Sequence, residues 1–337
     1  MKKDKHILII RLSALGDVAM TVPAIYSLAR QYPELKIDVL TRPFFAKLFI
    51  NRPENVNMIC ADFKGEYKGF LGVLRLLRKL NGYKFDCVAD LHNVLRSWEI
   101  DLFYLLKFKK VAMVDKLRKR RKSVLVDKVE QPNFVNRYTQ VFKRLGYPIT
   151  LKFDSLFEGE TPQTPIEIQH PAVGIAPFAR YMNKTYPVDK MQEVVERLAK
   201  DGYHVYLFGG RGKEAEIMEG WQNANPNCIS FAGKYPISDE LALMSKMDVM
   251  ITMDSANQHM ASLVGTTVVS IWGSTTPECG FLGYNQSKDN AMRLNLPCQP
   301  CSIAGTESCP LGHLNCMNQI APIDIEEKIK NLIQNNR

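Results

Sequence analysis

The sequence predicts an α/β protein of two Rossmann-like domains, and three observations carry that reading. The chain has 337 residues, the length of two domains at roughly 100–200 residues each. Short apolar runs alternate with helix-spaced segments along almost the whole chain, the pattern of a parallel sheet covered on both faces. Residues 155–170, SLFEGETPQTPIEIQH, interrupt the alternation with Gly, Pro and Thr and read as an interdomain linker. The predicted domains are therefore 1–154 and 171–337.

In the first half, HILIIRL (6–12) has no helical spacing and reads as a buried strand. The turn SALGD leads into a helix over 17–31, with Pro23 placed to kink it. Strands follow at 37–41, 56–60, 85–91 and 111–114, with helices at 44–50, 69–81 and 94–106. In the second half the predicted strands are 172–177, 203–209, 229–233, 249–253 and 267–273. The helices between and after them are 187–201, 213–224, 238–246, 256–264 and 322–335, the last with the option of packing back on the N-terminal domain. Ligands of such sheets bind beyond the C-terminal strand ends, so two domains facing one another would bring those ends to one cleft.

Composition narrows the class. Hydrophobic residues make up 46% and charged residues 23%, which excludes a disordered, collagen-like or coiled-coil chain. Arg11 cuts the first apolar run short and Asp17 follows, so no secretory signal is expected. Residues 255–277 lack Asp, Glu, Lys and Arg but are rich in Ser, Thr, Asn, Gln and Gly, unlike a membrane span. A cytosolic location follows as the expectation, and with it thiols rather than disulfides for the eight cysteines. The net charge of +9 is unevenly placed: residues 1–150 hold 29 Lys/Arg against 14 Asp/Glu, and the remainder hold 15 against 21. The first half is the one expected to meet an anionic partner.

The turn Arg11-Leu12-Ser13-Ala14-Leu15-Gly16-Asp17 joins the first strand to the first helix. It lacks the G-x-G-x-x-G pattern, which argues against a dinucleotide enzyme. Asp17 at the helix start has two uses: a helix cap, or a carboxylate that removes a proton from an incoming hydroxyl. In the second half a strand ends at Asp254 and a helix opens with Ser255, Ala256, Asn257, Gln258 and His259. Free N–H groups there suit an anion. His259 either approaches that anion or makes a structural hydrogen bond. The turn Trp272-Gly273-Ser274-Thr275-Thr276-Pro277 adds a second small-residue turn at the same sheet edge. Gly209-Gly210-Arg211-Gly212-Lys213-Glu214 is a third strand-to-helix turn, whose glycines could admit a nucleotide and whose Glu214 or Glu216 could bond ribose hydroxyls. The alternative is an exposed helix start.

Together, RLSALGDVAMTVPAIYSLARQYP, DSANQHMASLVG, WGSTTP and PCQPC…CPLGHLNCM resemble glycosyltransferase family 9, the heptosyltransferases of lipopolysaccharide inner-core synthesis. The resemblance runs from residue 6 to about 325. It implies a GT-B fold and inverting, metal-independent transfer from ADP-heptose, with acceptor on the N-terminal domain and nucleotide sugar on the C-terminal one. It implies Asp17 as catalytic base, Asp254, Ser255, Ala256 and His259 as the diphosphate turn, and Lys184 as a phosphate-neutralising cation. Gly209, Glu214 and Tyr235 fall where the nucleotide is expected. Two positions depart from the family pattern: Ala256 stands where many members have Gly, and Thr185-Tyr186 follows the lysine in place of a Trp. The absence of any D-x-D, the usual carboxylate clamp for a divalent metal, agrees with neutralisation by N–H groups, Lys184 and His259 alone. No cofactor is expected.

Two features are less specific. Cys298, Cys301, Cys309 and Cys316 form C-x2-C-x7-C-x6-C near His313, compatible with free or packing thiols, a zinc site or a disulfide. A basic run, including Lys107, Lys109, Lys110, Lys116, Arg118, Lys119, Arg120, Arg121 and Lys122, is a solvated face, a nucleic-acid patch or an anionic-lipid contact. With no nucleic-acid motif present, the resemblance favours the last, with an anionic glycolipid acceptor and peripheral attachment to the inner face of the inner membrane. Other readings stand beside it: transfer of another nucleotide-activated sugar to a glycan or lipid, or a basic RNA- or membrane-binding module without turnover.

Overall fold

The computed structural model describes residues 6–335. It divides into two compact units: residues 1–118 with 134–153, and residues 119–133 with 154–337. The first holds β1 (His6–Ile10), α1 (Leu15–Ala19), α2 (Val22–Gln31), β2 (Lys36–Thr41), α3 (Pro43–Ala46), β3 (Val56–Cys60), α4 (Gly69–Gly82), β4 (Cys87–Asp90), α5 (Leu95–Leu105) and β5 (Lys110–Met113). The chain then enters the second unit through α6 (Arg121–Leu125) and returns to the first for α7 (Phe134–Leu145). The second unit continues with β6 (Ala172–Ala176), α8 (Val188–Lys200), β7 (His204–Leu207), α9 (Lys213–Ala224), β8 (Cys228–Ser230), α10 (Ile237–Met244), β9 (Val249–Met253) and α11 (Ala256–Leu263). It closes with β10 (Val268–Ile271), β11 (Ala291–Met292), α12 (Asn315–Asn318) and α13 (Pro322–Asn335).

Both sheets are parallel, with orders β3-β2-β1-β4-β5 and β11-β10-β9-β6-β7-β8. Each has the Rossmann order, which reverses between its first and fourth strands and opens a crevice there. The two-domain Rossmann-like prediction is thus met, and each crevice has known lips: the ends of β1 and β4 in the first unit, of β6 and β9 in the second. The central strands are buried on both faces; Ile7 to Ile10 and Val249 to Met253 are essentially inaccessible, as helix-covered parallel strands must be.

Two local expectations change. The single helix over 17–31 is two, because Pro23 has no N–H to continue a ladder and instead occupies the first turn of α2. Helix α7 was not anticipated, although Val135, Tyr138, Val141, Phe142 and Leu145 show helical spacing and are buried. Helix α13 packs within its own unit: Ile325, Ile329 and Ile333 lie in the second core with Val194 and Leu198 of α8. Residues 119–133 join the second unit through identifiable bonds. The Gln131 N–H donates to the Glu278 carbonyl at 2.9 Å, Asn133 Nδ2 to the Leu282 carbonyl at 2.7 Å, and Lys288 pairs with Glu130 at 2.5 Å.

Candidate active site

In the first unit the residues after β1 form a polar knot. Asp17 lies in the third position of α1, not at its cap, and its carboxylate accepts the Ala14 N–H at 3.1 Å. The same Oδ2 pairs with Arg11 Nη2 at 2.7 Å. The other Arg11 terminal nitrogen donates to the Leu91 carbonyl at 2.6 Å, tying the end of β1 to the end of β4. Ser13 Oγ and His92 Nε2 are 3.2 Å apart across the same crevice. Asp17 closes the helix start, as the cap reading expects, and 28% of its side chain stays exposed.

The structure adds Arg42 and His92, which motif reading passed over, and groups them with cations it had named separately. Arg42 follows β2, Arg11 follows β1, His92 follows β4, and Lys116 and Arg118 follow β5. Four neighbouring parallel strands thus deliver positive or ring-nitrogen donors to one sheet edge. Burial, then Arg11 and Lys116, push the His92 imidazole down to about 3, so it is neutral near pH 7. Burial, then Arg11 and Arg118, bring Lys116 down to about 8. His92 Nδ1 and the Nε atoms of Arg11 and Arg42 are buried without a hydrogen-bond partner. Such groups are costly to leave unsatisfied, and an anionic ligand would satisfy them. The signal was present in sequence only as strand ends followed by Arg, His or Lys.

Behind this edge, Asp90 accepts the N–H groups of His92 and Asn93 at 2.7 and 2.9 Å and the Ser97 hydroxyl at 2.7 Å. These bonds fix the loop that carries His92. Burial, then neighbouring Asp90, raise the Asp101 carboxyl far above the carboxylate range, so the two acids share the interior with Asp101 protonated.

In the second unit the crevice lip after β9 is built around Asp254. Its Oδ2 pairs with Lys184 Nζ at 2.7 Å and accepts the Thr275 hydroxyl at 2.5 Å. Ser255 caps α11, and its hydroxyl is buried with no partner. His259 is buried in the first turn of the same helix. Ala256 is the first helical residue and is not among the residues of positive φ, so its methyl meets no backbone strain where many family members have Gly. Lys184, Asp254, Ser255, Ala256 and His259 thus come from one short turn and one strand–helix junction.

The turn after β10 positions Lys184. Asn183 Oδ1 accepts the Ser274 hydroxyl at 2.9 Å and the Thr306 N–H at 3.0 Å, and the Ser274 N–H donates to the Asn183 carbonyl at 3.1 Å. A Cβ on Gly273 would lie 2.5 Å from that carbonyl, so only glycine permits this approach. Gly273→Ala is expected to cost about 1–3 kcal/mol in a urea titration and to weaken ADP binding roughly tenfold, or about 1.4 kcal/mol, by pushing the Lys184 turn away. Wild-type values in both measurements would show that the contact relaxes freely.

The cysteine segment braces the same turn. The N–H groups of Cys301 and Ser302 donate to the Ser274 carbonyl, each at 3.0 Å, and Gln299 Nε2 donates to the carbonyls of Trp272 and Gly273 at 3.0 and 2.8 Å. Cys316 is buried in the second core. All eight cysteines are free thiols, and no group of three or more His, Cys, Asp or Glu among the described residues is arranged to hold a metal.

The remaining predicted donor residues are separate. Glu214 Oε2 accepts the Gly210 N–H at 2.7 Å, closing the turn that contains Gly209, and Tyr235 meets Phe231 edge-on at 5.6 Å. Lys119, Arg120 and Lys122 are exposed and belong to the second unit, not to the unit that carries Asp17; the Arg121 side chain lies outside the described part of the structure.

A family model for glycosyltransferase family 9 (heptosyltransferase) matches residues 73–311. The chain belongs to this family. The lipopolysaccharide heptosyltransferase 3 of Escherichia coli is 28% identical over 287 residues, covering 77% of this chain and 81% of that protein. Among solved structures, a family 9 glycosyltransferase from Veillonella parvula superposes with a TM-score of 0.74 at 19% identity, covering 99% of both chains. The E. coli heptosyltransferase WaaC with ADP gives 0.72 at 16%, covering 97% of this chain and 99% of that one. The fold is GT-B, and the protein is a glycosyltransferase. At the departure from the family pattern, Tyr186 is buried and its hydroxyl donates to the Ile320 carbonyl at 2.8 Å. It anchors the lysine turn to the second core, a packing use of the aromatic position.

Proposed function

We propose that this family 9 glycosyltransferase moves heptose from ADP-heptose to an anionic lipopolysaccharide-type acceptor, with inversion and without a metal. The observation that carries the donor half is the crevice around Asp254: a partly buried Lys184, the unpartnered Ser255 hydroxyl and the N-terminus of α11 converge there. A diphosphate leaving group gains negative charge as the glycosidic bond breaks. Helix N–H groups, a hydroxyl and an ammonium stabilise that charge in place of a cation. Gly209, Glu214 and Tyr235 are the candidate nucleoside contacts. In the first unit Asp17 takes the proton of the attacking hydroxyl, and Arg11, Arg42, His92 and Lys116 hold an anionic group of the acceptor. The exposed Lys119, Arg120 and Lys122 are further candidate contacts for acceptor phosphates.

The test compares thermal stabilisation by ADP, UDP, GDP and CMP, followed by transfer from ADP-heptose in excess EDTA. ADP is expected to raise the melting temperature most, by the increment that ligand excess over Kd dictates, and transfer to persist at its untreated rate. A larger shift with another nucleotide reassigns the donor. Loss of transfer in EDTA that magnesium restores overturns the metal-free mechanism.

A further inference from the structure

The outward face of α5 is apolar. Leu95, Trp98, Leu102, Leu105 and Leu106 are exposed, Leu95 by 75% and Leu106 by 72%. At 3.6 residues per turn their spacing forms one stripe, opposite the buried Ser97, Ile100, Asp101 and Tyr104. A surface helix ordinarily turns its polar side outward; on this one the exposed side is mostly apolar, with Glu99 as the acidic residue beside the stripe. Phe108, just past the helix, is 98% exposed. The neighbouring α4 continues the feature with exposed Phe70, Leu71 and Leu74. The two helices are tied at both ends: Arg96 of α5 lies over the ring of Phe63, ahead of α4, at 4.8 Å, and Lys107 bonds the Asn81 side chain.

The surroundings are cationic. Residues 64–110 contain ten Lys/Arg and five Asp/Glu, and two of those acids, Asp90 and Asp101, are buried. Lys68, Arg75, Arg78, Arg96 and Lys107 are all exposed on or beside the two helices. Exposed aromatic and leucine side chains rimmed by Lys and Arg match a surface of anionic headgroups over acyl chains. No described helix is long and apolar enough to cross a membrane, so such a face would lie on the bilayer.

We propose that the outward faces of α4 and α5 dock the protein on an anionic lipid bilayer. The purpose of such docking rests on the lipid-linked acceptor proposed above; the experiment does not. The full-length protein and a Leu102→Ser, Leu106→Ser, Phe108→Ser variant are sedimented with phosphatidylethanolamine–phosphatidylglycerol vesicles and with phosphatidylcholine vesicles. Wild type is expected to partition onto the anionic vesicles only, and less so as salt rises. The variant is expected to partition at least tenfold more weakly, with ADP binding and transfer to an acyl-free acceptor unchanged, because none of the three positions is in the core. Equal partitioning of wild type and variant overturns the proposal, as does failure of wild type to bind anionic vesicles. A wild-type dimer that becomes monomeric in the variant, with no vesicle binding by either, assigns the face to a second copy of the chain and also overturns it. Absence of ADP binding in both proteins strikes the proposed reaction alone, since the vesicle measurement needs no donor.

Discussion

Asp17→Asn is expected to transfer sugar at least ~10²-fold more slowly than wild type in a single turnover with donor and acceptor saturating, the usual size of a general-base contribution. The amide can still accept the Ala14 N–H that the carboxylate accepts at 3.1 Å, so the helix start survives. It cannot take the proton of the attacking hydroxyl. The 2.7 Å pair with Arg11 bears on timing. A carboxylate held by a guanidinium loses part of that pairing as it accepts a proton. The transfer is therefore favourable only late, once the hydroxyl has begun to bond the anomeric carbon and become acidic. Arg11 also gives the variant a folding cost that a solvent-exposed cap would not have. Its guanidinium is almost fully buried and also donates to the Leu91 carbonyl; the amide oxygen can still accept from it but no longer offsets its charge, a loss of about 1–3 kcal/mol. Thermal unfolding separates this from catalysis: ADP should restore part of the melting temperature without restoring the rate. A rate within threefold of wild type would reduce Asp17 to a partner for Arg11 and the helix start.

Lys184→Ala is expected to weaken ADP binding by about 1.5–3 kcal/mol, the value of a hydrogen bond to a charged group, or roughly 10–150-fold in Kd. The pairing with Asp254 makes the effect larger than deletion of a surface lysine, because the carboxylate left behind would face the donor diphosphate with only the Thr275 hydroxyl on its Oδ2. It also means that the single variant does not fold with wild-type stability, since stranding one member of a buried pair costs about 3–5 kcal/mol. The double variant Lys184→Ala, Asp254→Asn resolves the two roles. Neutralising Asp254 should recover most of the folding stability while ADP binding stays weak. Recovery of ADP affinity along with stability would make Lys184 a counter-ion for Asp254 and no ligand for phosphate.

Much of the fold was legible because its signals are local. Runs such as HILII and VMITM are buried on both faces and are apolar without helical spacing; such a run between helices has one architecture open to it. Motif positions were legible for the same reason. Strand ends followed by Ser-Ala-Leu-Gly-Asp or Asp-Ser-Ala-Asn mark the places where a parallel sheet binds ligands. Helix α7 escaped because its segment follows a basic loop, and a helix read in isolation competes with the loop around it. Its buried face packs against α2, β4 and β5, elements that precede it by some twenty residues or more.

By itself the sequence determined two parallel Rossmann-like sheets, the turns that end their strands, and the family to which those turns belong. Only the tertiary structure decided the partners. That Asp254 answers to Lys184 and Thr275, and that Arg42, His92 and Lys116 share an edge with Asp17, depends on strand order, which sets residues from separate β–α units side by side. It also decided that the terminal cysteine segment braces the lysine turn and that α13 stays with the second core. Local propensity acts over a few residues, whereas an ion pair or a buried contact is set by distance in space. Partners 70 or more residues apart, like Lys184 and Asp254 or Asn183 and Thr306 at 123 residues, leave no periodic trace in the chain between them.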